Sequence, residues 1–476
     1  MRTVAVLGGG IGGLAASYYL AKSPLVSKVI LLECSDRVGG WLWSTRRPDG
    51  AVFEHGPRGI RPVGAVGRNT LNMVDDLGLA DEILPVTYSH MASKNRYLYV
   101  NKKLHKMPSG LSGLLRTVPP FSRPLLLSIA KEPLRSRGED DDESVHSFVS
   151  RRFDRELADI AVDSLCRGVF AGDCRKLSLR SCFPILYNAE QQRGSVVLGM
   201  LLGSGPTPGL TPGPLSQRSL KESWAQWSLK RGVQSLPERL SDFLQQSERV
   251  ELHKNTPVTS VTPSVSGWTI RTEDGNLSAD HIISALPAKV LSSILPASCQ
   301  SLIQNLQRVT MATVAVVNLQ YEGSVLPVAG FGHLIPSFED PGLLGVVYDS
   351  VPFPEHNRTS GETTRLTVML GGAWFQKAFG SPVEVTEDVL LSRATAAVRC
   401  HLGVNTAPSW SCVSLEKDCI PQYELGHSRR VESMWHFIKE KSLPLTLIGA
   451  SYAGVSVNDV IFSARTGVEK LLGTTV

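Results

Sequence analysis

No window of this 476-residue chain reaches the roughly 18 consecutive apolar residues that a membrane-spanning helix needs, so the chain is not expected to cross a bilayer. Charge of one sign is also scarce. The 49 Lys and Arg against 44 Asp and Glu leave a formal +5, too mild an excess to point to nucleic acid, although a membrane surface or an anionic ligand stays compatible. The 8 cysteines, at positions 34, 166, 174, 182, 299, 400, 412 and 419, contain no C-x-x-C pair. Neither a zinc site nor a disulfide framework is expected, and buried free thiols in a reducing compartment are. No Ser-His-Asp or Cys-His arrangement, internal repeat or long low-complexity tract is legible. The first strand begins near Thr3, which leaves no room for a cleavable presequence, so any organelle targeting is expected to use internal signals. Asn357-Arg358-Thr359 fits a glycosylation acceptor but reads as an ordinary polar loop.

What the chain does have is enough apolar residue, 42%, for a large core divided into two or three units. Residues 2–7 read as an apolar, β-branched strand, residues 14–21 as a helix, and residues 28–33 (KVILLE) as a second buried strand, which makes a βαβ unit. Between the first strand and the helix stands GGGIGG: Gly8, Gly9, Gly10, Ile11, Gly12 and Gly13. Gly8, Gly10 and Gly13 satisfy G-x-G-x-x-G, in which the first glycine permits the tight turn, the second lets backbone approach a pyrophosphate, and the third lets helix pack on strand. Glu33 closes the next strand, 20 residues beyond Gly13, where a carboxylate accepts ribose hydroxyls and repels a 2′-phosphate.

Further along, residues 88–213 mix apolar and basic stretches, an acidic run at 139–143, and an expected helix at 145–165. A Gly- and Pro-rich stretch at 203–214 marks a boundary. Residues 224–244 are then expected to be helical, and 249–261 and 268–280 to be strands that return to the first domain. Residues 309–349 and 364–370 are strand-rich and suggest a separate sheet. A last strand at 444–450 and a helix after Asp459 close the chain.

The residues after Glu33, namely Cys34 and then Asp36-Arg37-Val38-Gly39-Gly40-Trp41, resemble the extended R-x-G-G stretch of glutathione-reductase-like and amine-oxidase-like flavoproteins. Residues 448–467, with Gly449, Ala450, Gly454, Asn458, Ala464 and Gly467, resemble the second flavin segment of that group. FAD is thus the expected dinucleotide. One departure is that Ala450-Ser451 stands where an acidic residue is common, so contacts there would come from backbone N–H groups of Val455, Ser456 and Val457. Longer strings carry the likeness over nearly the whole chain: GPRGIRP (56–62), NRYLYV (95–100), DSLCRGVFAGD (163–173), FGHLIP (331–336) and GASYAGVSVND (449–459). Together they resemble the animal mitochondrial protoporphyrinogen oxidase family.

That resemblance implies a six-electron oxidation of protoporphyrinogen IX to protoporphyrin IX in haem biosynthesis. Dioxygen would be the acceptor and peroxide the by-product. It further implies non-covalent FAD, a homodimer, and a monotopic place on the intermembrane-space face of the mitochondrial inner membrane. The expected fold class is α/β. A discontinuous Rossmann-like FAD-binding domain (1–87, 225–287 and 435–476) would accompany a mixed-sheet substrate-binding domain (288–434) and a mainly helical membrane-associating domain (88–214). A related amine oxidase or polyene desaturase is the enzymatic alternative, and a NAD-linked dehydrogenase or a non-catalytic flavoprotein lies further off.

The site residues follow from the resemblance and from what a flat apolar tetrapyrrole with two propionates requires. No catalytic side chain is assigned, because the flavin takes the hydride, and no metal is expected. Arg96 is the candidate propionate partner, since a guanidinium can grip a carboxylate through paired hydrogen bonds; the other reading is a solvated arginine at a strand edge. Leu165, Phe331, Leu334 and Met369 would line the slot, with Gly168 and Gly332 allowing close approach, and ordinary core packing competes for each. Gly56, Pro57, Arg58 and Gly59 would form a tight loop beside the flavin, where the Arg58 side chain could equally pair with a structural carboxylate. Val258 completes the cofactor set. His55 is an acid or base candidate against the reading of a packed histidine. Residues 102–130 mix Lys102, Lys103, Lys106, Arg116 and Arg123 with leucines, which suits either a lipid-facing surface or an internally packed amphipathic segment.

Overall fold

The computed structural model describes residues 2–203, 210–265 and 267–475, with Leu111 described by its backbone alone, so the middle of the Gly- and Pro-rich boundary stretch lies outside the described residues. The first strand, Arg2–Leu7, forms the centre of a five-stranded sheet in the order Leu445–Leu447, His281–Ser284, Arg2–Leu7, Val26–Leu32, Val250–His253, with every pairing parallel. A central parallel strand is covered on both faces, and its alternation shows it: Val4 and Val6 enter one buried cluster, Ala5 and Leu7 another. The five strands come from separated stretches of chain, so the sheet is discontinuous in sequence.

The helix Ile11–Lys22 covers one face and packs on Val457–Leu472. A Cβ at Gly12 would stand 3.0 Å from Val460 Cγ1, and one at Gly13 would fall on the carbonyl oxygen of Gly8. The third glycine of the motif therefore sets how near helix and strand can lie. An antiparallel meander, Val258–Ser264, Gly267–Thr272 and Gly275–Ala279, lies beside this sheet where sequence reading had long single strands.

A second sheet has seven strands in the order Trp410–Gln422, Thr310–Glu322, Thr363–Gly372, Leu343–Val347, Gly332–Leu334, Tyr97–Val100, Lys103–Lys106. All pairings are antiparallel except Gly332–Leu334 with Tyr97–Val100, so the sheet is mixed. Its edge hairpin falls inside the stretch expected to be mainly helical. The local reason is alternation: Leu98 and Val100 face one cluster and Tyr99 another, while Asn101 and Lys102 take the left-handed φ values, 53° and 59°, of a tight hairpin turn.

Two expected helices differ from the structure. Residues 224–244 begin as a strand, Trp224–Leu229, paired with Ile83–Thr87; only after a turn at Gly232 (φ 86°) does the helix Ser235–Gln245 start. The stretch 145–165 is broken after Val145–Arg152, because the Asp154 carboxylate accepts from the Leu157 N–H and caps a new start that runs on to the helix Asp163–Phe170. The helices of this segment are tied together by buried Arg152 on buried Glu132, whose carboxylate also accepts from the Val196 N–H at 2.9 Å.

Gly13→Ala should push helix Ile11–Lys22 off its strand and destabilise the protein by at least about 1–3 kcal/mol, read as a lower denaturant midpoint. An unchanged midpoint would show that the two elements are not held at this distance.

Candidate functional site

Because all five strands of the first sheet run the same way, their carboxyl ends meet at one edge, where Gly8, Glu33, Ala285 and Ile448 follow the strands. Gly8 (φ 97°) turns the chain there, its N–H donating to the Leu32 carbonyl at 2.8 Å. Helix Ile11–Lys22 is capped by Gly10 without any side-chain bond, which leaves first-turn N–H groups free to face an anion. The Glu33 carboxylate is fixed at the same edge. It accepts from the Gly9 N–H at 2.6 Å and, on its other oxygen, from the N–H and hydroxyl of Ser35 at 2.9 and 2.8 Å, with the Cys34 thiol at 3.4 Å.

The stretch after Glu33 folds directly onto this loop. The Gly39 N–H donates to the Gly9 carbonyl at 2.8 Å, and a Cβ at Gly40 would stand 3.2 Å from Gly10 Cα. Two glycines face each other across the site, so only backbone lies between them. The Arg37 guanidinium donates to the Gly40 carbonyl at 2.6 Å and lies over the Trp43 ring, so it braces the loop. Trp41 and Trp43 stay 42% and 38% exposed, an unusual state for two large rings in a folded core and one that suits a covering ligand.

At the far end, Gly449 (φ 98°) donates its N–H to Ser463 at 2.9 Å, and Tyr423 donates its hydroxyl to the Ala450 carbonyl. Val455 and Ser456 lead into the helix Val457–Leu472, which Ser456 and Asp459 cap reciprocally. Asn458 then donates to the Arg61 carbonyl at 2.8 Å, tying this helix to the loop at 56–61. Val258 lies two residues after Thr256, whose N–H donates to the Glu33 carbonyl at 2.9 Å. The expected cofactor residues therefore gather along one continuous edge, and the bare glycine faces with uncapped N–H groups fit a pyrophosphate and an extended dinucleotide.

The loop at 56–59 rests on a buried polar network. Arg58 donates to Asp349 at 2.6 Å and to Thr367 at 2.7 Å; Thr367 reaches the Asn318 side chain at 2.7 Å, and Asn318 donates to the Glu54 carbonyl at 3.1 Å. Of the two roles open to the Arg58 side chain, the structure shows the carboxylate pairing. A Cβ at Gly56 would lie 2.6 Å from the Trp41 carbonyl, and one at Gly59 2.7 Å from Gln226 Oε1, so the loop is held close on both sides. Glu54 accepts from Ser44 and the Val233 N–H at 2.7 and 2.8 Å, yet burial outweighs both bonds and lifts its pKa to about 7. His55 is bonded by both ring nitrogens, to Thr45 at 2.6 Å and Ser414 at 2.5 Å, and stacks on Trp43. Burial and then the Arg58 charge lower its pKa to about 4, so it is a packed neutral imidazole at physiological pH.

Of the substrate candidates, Leu334 and Met369 meet on the second sheet and Gly168 packs on Leu334, whereas Phe331 lies in another cluster. Leu334 pairs with Gly345, and Gly345 with Met369, so the three form a row on one face with bare backbone at the centre. Helix Asp163–Phe170 stands over that row: a Cβ at Gly168 would be 2.9 Å from Leu334 Cδ2, and so would one at Gly345. A Cβ at Gly332 would overlap the Val346 carbonyl. The helix is clamped at both ends, by the Ser337 N–H on Asp163 at 2.6 Å and by Arg167 on the carbonyls of Asp340 and Leu343 at 2.7 and 2.8 Å. Leu165 is 41% exposed beside it. Phe331 belongs to a separate cluster with Leu84, Val86, Ala92 and Phe353. Arg96 is exposed and has no side-chain partner among the described residues; desolvation and then the charge of Arg61 lower its pKa.

Sequence reading did not single out Gly345, Glu54, Asp349, Asn318 or Thr367. The last two were detectable in principle, as polar residues in the middle of otherwise apolar strands. Among the described residues one cluster, Asp163, Asp173 and Cys174, has ligand-type atoms in mutual reach, but Asp163 is already engaged by Ser337, Cys174 and Arg175.

Comparison with known proteins agrees with this geometry. The model of the flavin containing amine oxidoreductase family matches residues 11–472. Protoporphyrinogen oxidase of Homo sapiens is 51% identical over 474 residues, covering 99% of each chain. Coproporphyrinogen III oxidase of Bacillus subtilis is 28% identical over 99% of this chain and 98% of that one. Among solved structures, a putative protoporphyrinogen oxidase from Exiguobacterium sp. 255-15 superposes with a TM-score of 0.79 at 22% identity, covering 99% of each chain, which shows a common fold.

Native Glu54 holds its proton up to pH about 7, whereas the unfolded chain releases it near 4.5. Stability from this residue is therefore complete below pH 4.5 and falls as pH rises through 7, by roughly 3 kcal/mol. Glu54→Gln, which mimics the protonated acid, should lose that slope. Equal pH dependence of the unfolding midpoint in both proteins between pH 5 and 8 would contradict the assignment.

Proposed function

The chain belongs to the flavin containing amine oxidoreductase family, within which it is a relative of the protoporphyrinogen oxidases, and we propose on that premise that it oxidises protoporphyrinogen IX to protoporphyrin IX on non-covalently bound FAD. The observation that carries the substrate reading is the meeting of Leu334 and Met369, both half-buried on the second sheet, with helix Asp163–Phe170, where Gly168 packs on Leu334 and Leu165 is 41% exposed, an apolar wall suited to the face of a flat ring. When bound, FAD supplies hydride acceptance from a methylene bridge and passage of electrons to dioxygen, with peroxide as product.

The protein's part is positioning. Glu33 accepts the ribose hydroxyls, and the first turn of helix Ile11–Lys22 directs its N–H groups at the pyrophosphate. Backbone of residues 455–457 takes the place of the acidic residue common at 450. Arg96 binds a propionate, and Leu165, Phe331 and Gly332 complete the slot around that wall. Neutral His55, with both ring nitrogens engaged by Thr45 and Ser414, serves to fix Trp43.

We extend the proposal to a homodimer attached to one leaflet of the mitochondrial inner membrane, on its intermembrane-space face. The membrane reading is supported by apolar side chains open on the helical segment: Leu134, flanked in sequence by Lys131, Arg135 and Arg137, is 86% exposed, Leu201 77% and Leu202 66%. In residues 102–130, Leu115 and Leu127 are also exposed. Among the described residues no helix is long and apolar enough to cross a membrane.

Purified protein mixed with protoporphyrinogen IX in air should develop porphyrin fluorescence and peroxide; absence of both would sink the reading. Arg96→Ala should raise KM on the order of tenfold and leave kcat within about twofold, as expected for loss of a charged hydrogen bond made equally in ground and transition states. Unchanged KM would remove Arg96 from the site. Glu33→Gln should lower the flavin retained through gel filtration, and full occupancy would count against its ribose role.

A further inference from the structure

Arg58 and Arg61 share one short loop and have opposite surroundings. Arg58 is buried and paired with Asp349. Arg61 is exposed, and among the described residues only its carbonyl is engaged, by Asn458. Arg96 repeats that condition: its carbonyl accepts from the Met107 N–H at 2.8 Å, while its guanidinium has no partner among the described residues. Both segments border one small buried cluster. Gly59, just before Arg61, would put a Cβ 3.8 Å from the Phe353 ring. Phe353 is buried with Ala92, and Phe331 packs on the same cluster. Asn95, adjacent to Arg96, accepts from the Phe331 N–H at 3.1 Å. The two cations feel each other: after desolvation, Arg61 is what lowers the pKa of Arg96, and no carboxylate acts to raise it.

Like charges kept close without a counter-ion repel, and both guanidinium groups retain their full fork of donors. An anion with two carboxylates removes both costs at once. We propose that Arg61 is a second carboxylate-binding residue, so that Arg61 and Arg96 together hold a ligand edge carrying two neighbouring carboxylates, one on each guanidinium. The inference rests on the proposed tetrapyrrole reading, whose propionates sit on adjacent pyrroles. Two anchors do more than one: a single cation leaves the ring free to pivot, whereas a pair fixes which edge points outward and so which methylene bridges can face the flavin.

The test uses flavin-loaded full-length protein and two ligands, protoporphyrinogen IX and its dimethyl ester. Turnover of the diacid by the unmutated protein checks the functional reading separately. Arg61→Gln should raise KM for the diacid about tenfold and KM for the diester less than about twofold, in line with loss of a charge-assisted pair. Arg61→Lys, which keeps the charge, should recover most of the loss, as a purely structural guanidinium would not. Flavin content and unfolding midpoint should match the unmutated protein, because no neighbour depends on the Arg61 side chain. If the diacid is not oxidised at all, affinity for protoporphyrin IX against its dimethyl ester, read by fluorescence, still reports on Arg61. Equal effects of Arg61→Gln on diacid and diester, or none on either, would overturn the proposal.

Discussion

Close approach of backbone to backbone at positions without side chains is the constraint on which the rest of this structure depends. Gly13 lets the helix Ile11–Lys22 sit against the turn at Gly8, and the Gly10–Gly40 contact lets the stretch after Glu33 lie on that turn. Neither contact adds much energy by itself. Each removes a steric block so that a row of N–H donors and one carboxylate can share a narrow edge. The same device recurs at Gly168 and Gly345, which leave only Leu334 between helix and sheet. One set of absent side chains shapes the edge that follows the parallel strands, and another lets helix Asp163–Phe170 pack on Leu334 of the second sheet.

A buried polar network ties the loop at 56–59 and strand Val52–Glu54 to the second sheet. Arg58, Asp349, Thr367, Asn318 and Glu54 link the loop at 56–59 to the strands Thr310–Glu322 and Thr363–Gly372 through direct hydrogen bonds. Buried ion pairs of this kind add little net stability, because desolvation offsets their attraction, but they penalise any displacement that breaks one partner. Their effect is to fix where the loop at 56–59 stands relative to the second sheet. Arg61 and Arg96 are exposed, and among the described residues their guanidinium groups have no partner, so a charged ligand can reach them.

The cofactor edge was legible in the chain because its requirements are local: a strand, glycines at fixed offsets, a helix, and an acidic residue ending the next strand. The βαβ reading of residues 2–33 and the cofactor strings at both ends met in one place for that reason. The hairpin Tyr97–Val100 with Lys103–Lys106 was missed because its membership of a sheet is decided by a partner, Gly332–Leu334, more than two hundred residues away. Residues 224–229 were read as helix because two tryptophans and a leucine fit a helical face as well as a strand, and only pairing with Ile83–Thr87 decides between them. Gly345 and the partners of Arg58 were hidden for the same cause: each matters only through residues distant in sequence. Membership of the oxidase family extends over nearly the whole chain, so the distal strings carried information that periodicity could not.

The central claim is that this edge and the apolar wall together serve a flavin that oxidises a porphyrinogen. It is tested most directly by mixing the flavin-loaded protein with protoporphyrinogen IX, or with a primary amine, in the absence of oxygen. Bleaching of the flavin's visible absorption by the porphyrinogen, and not by the amine, is the predicted result. Bleaching by the amine alone would contradict it.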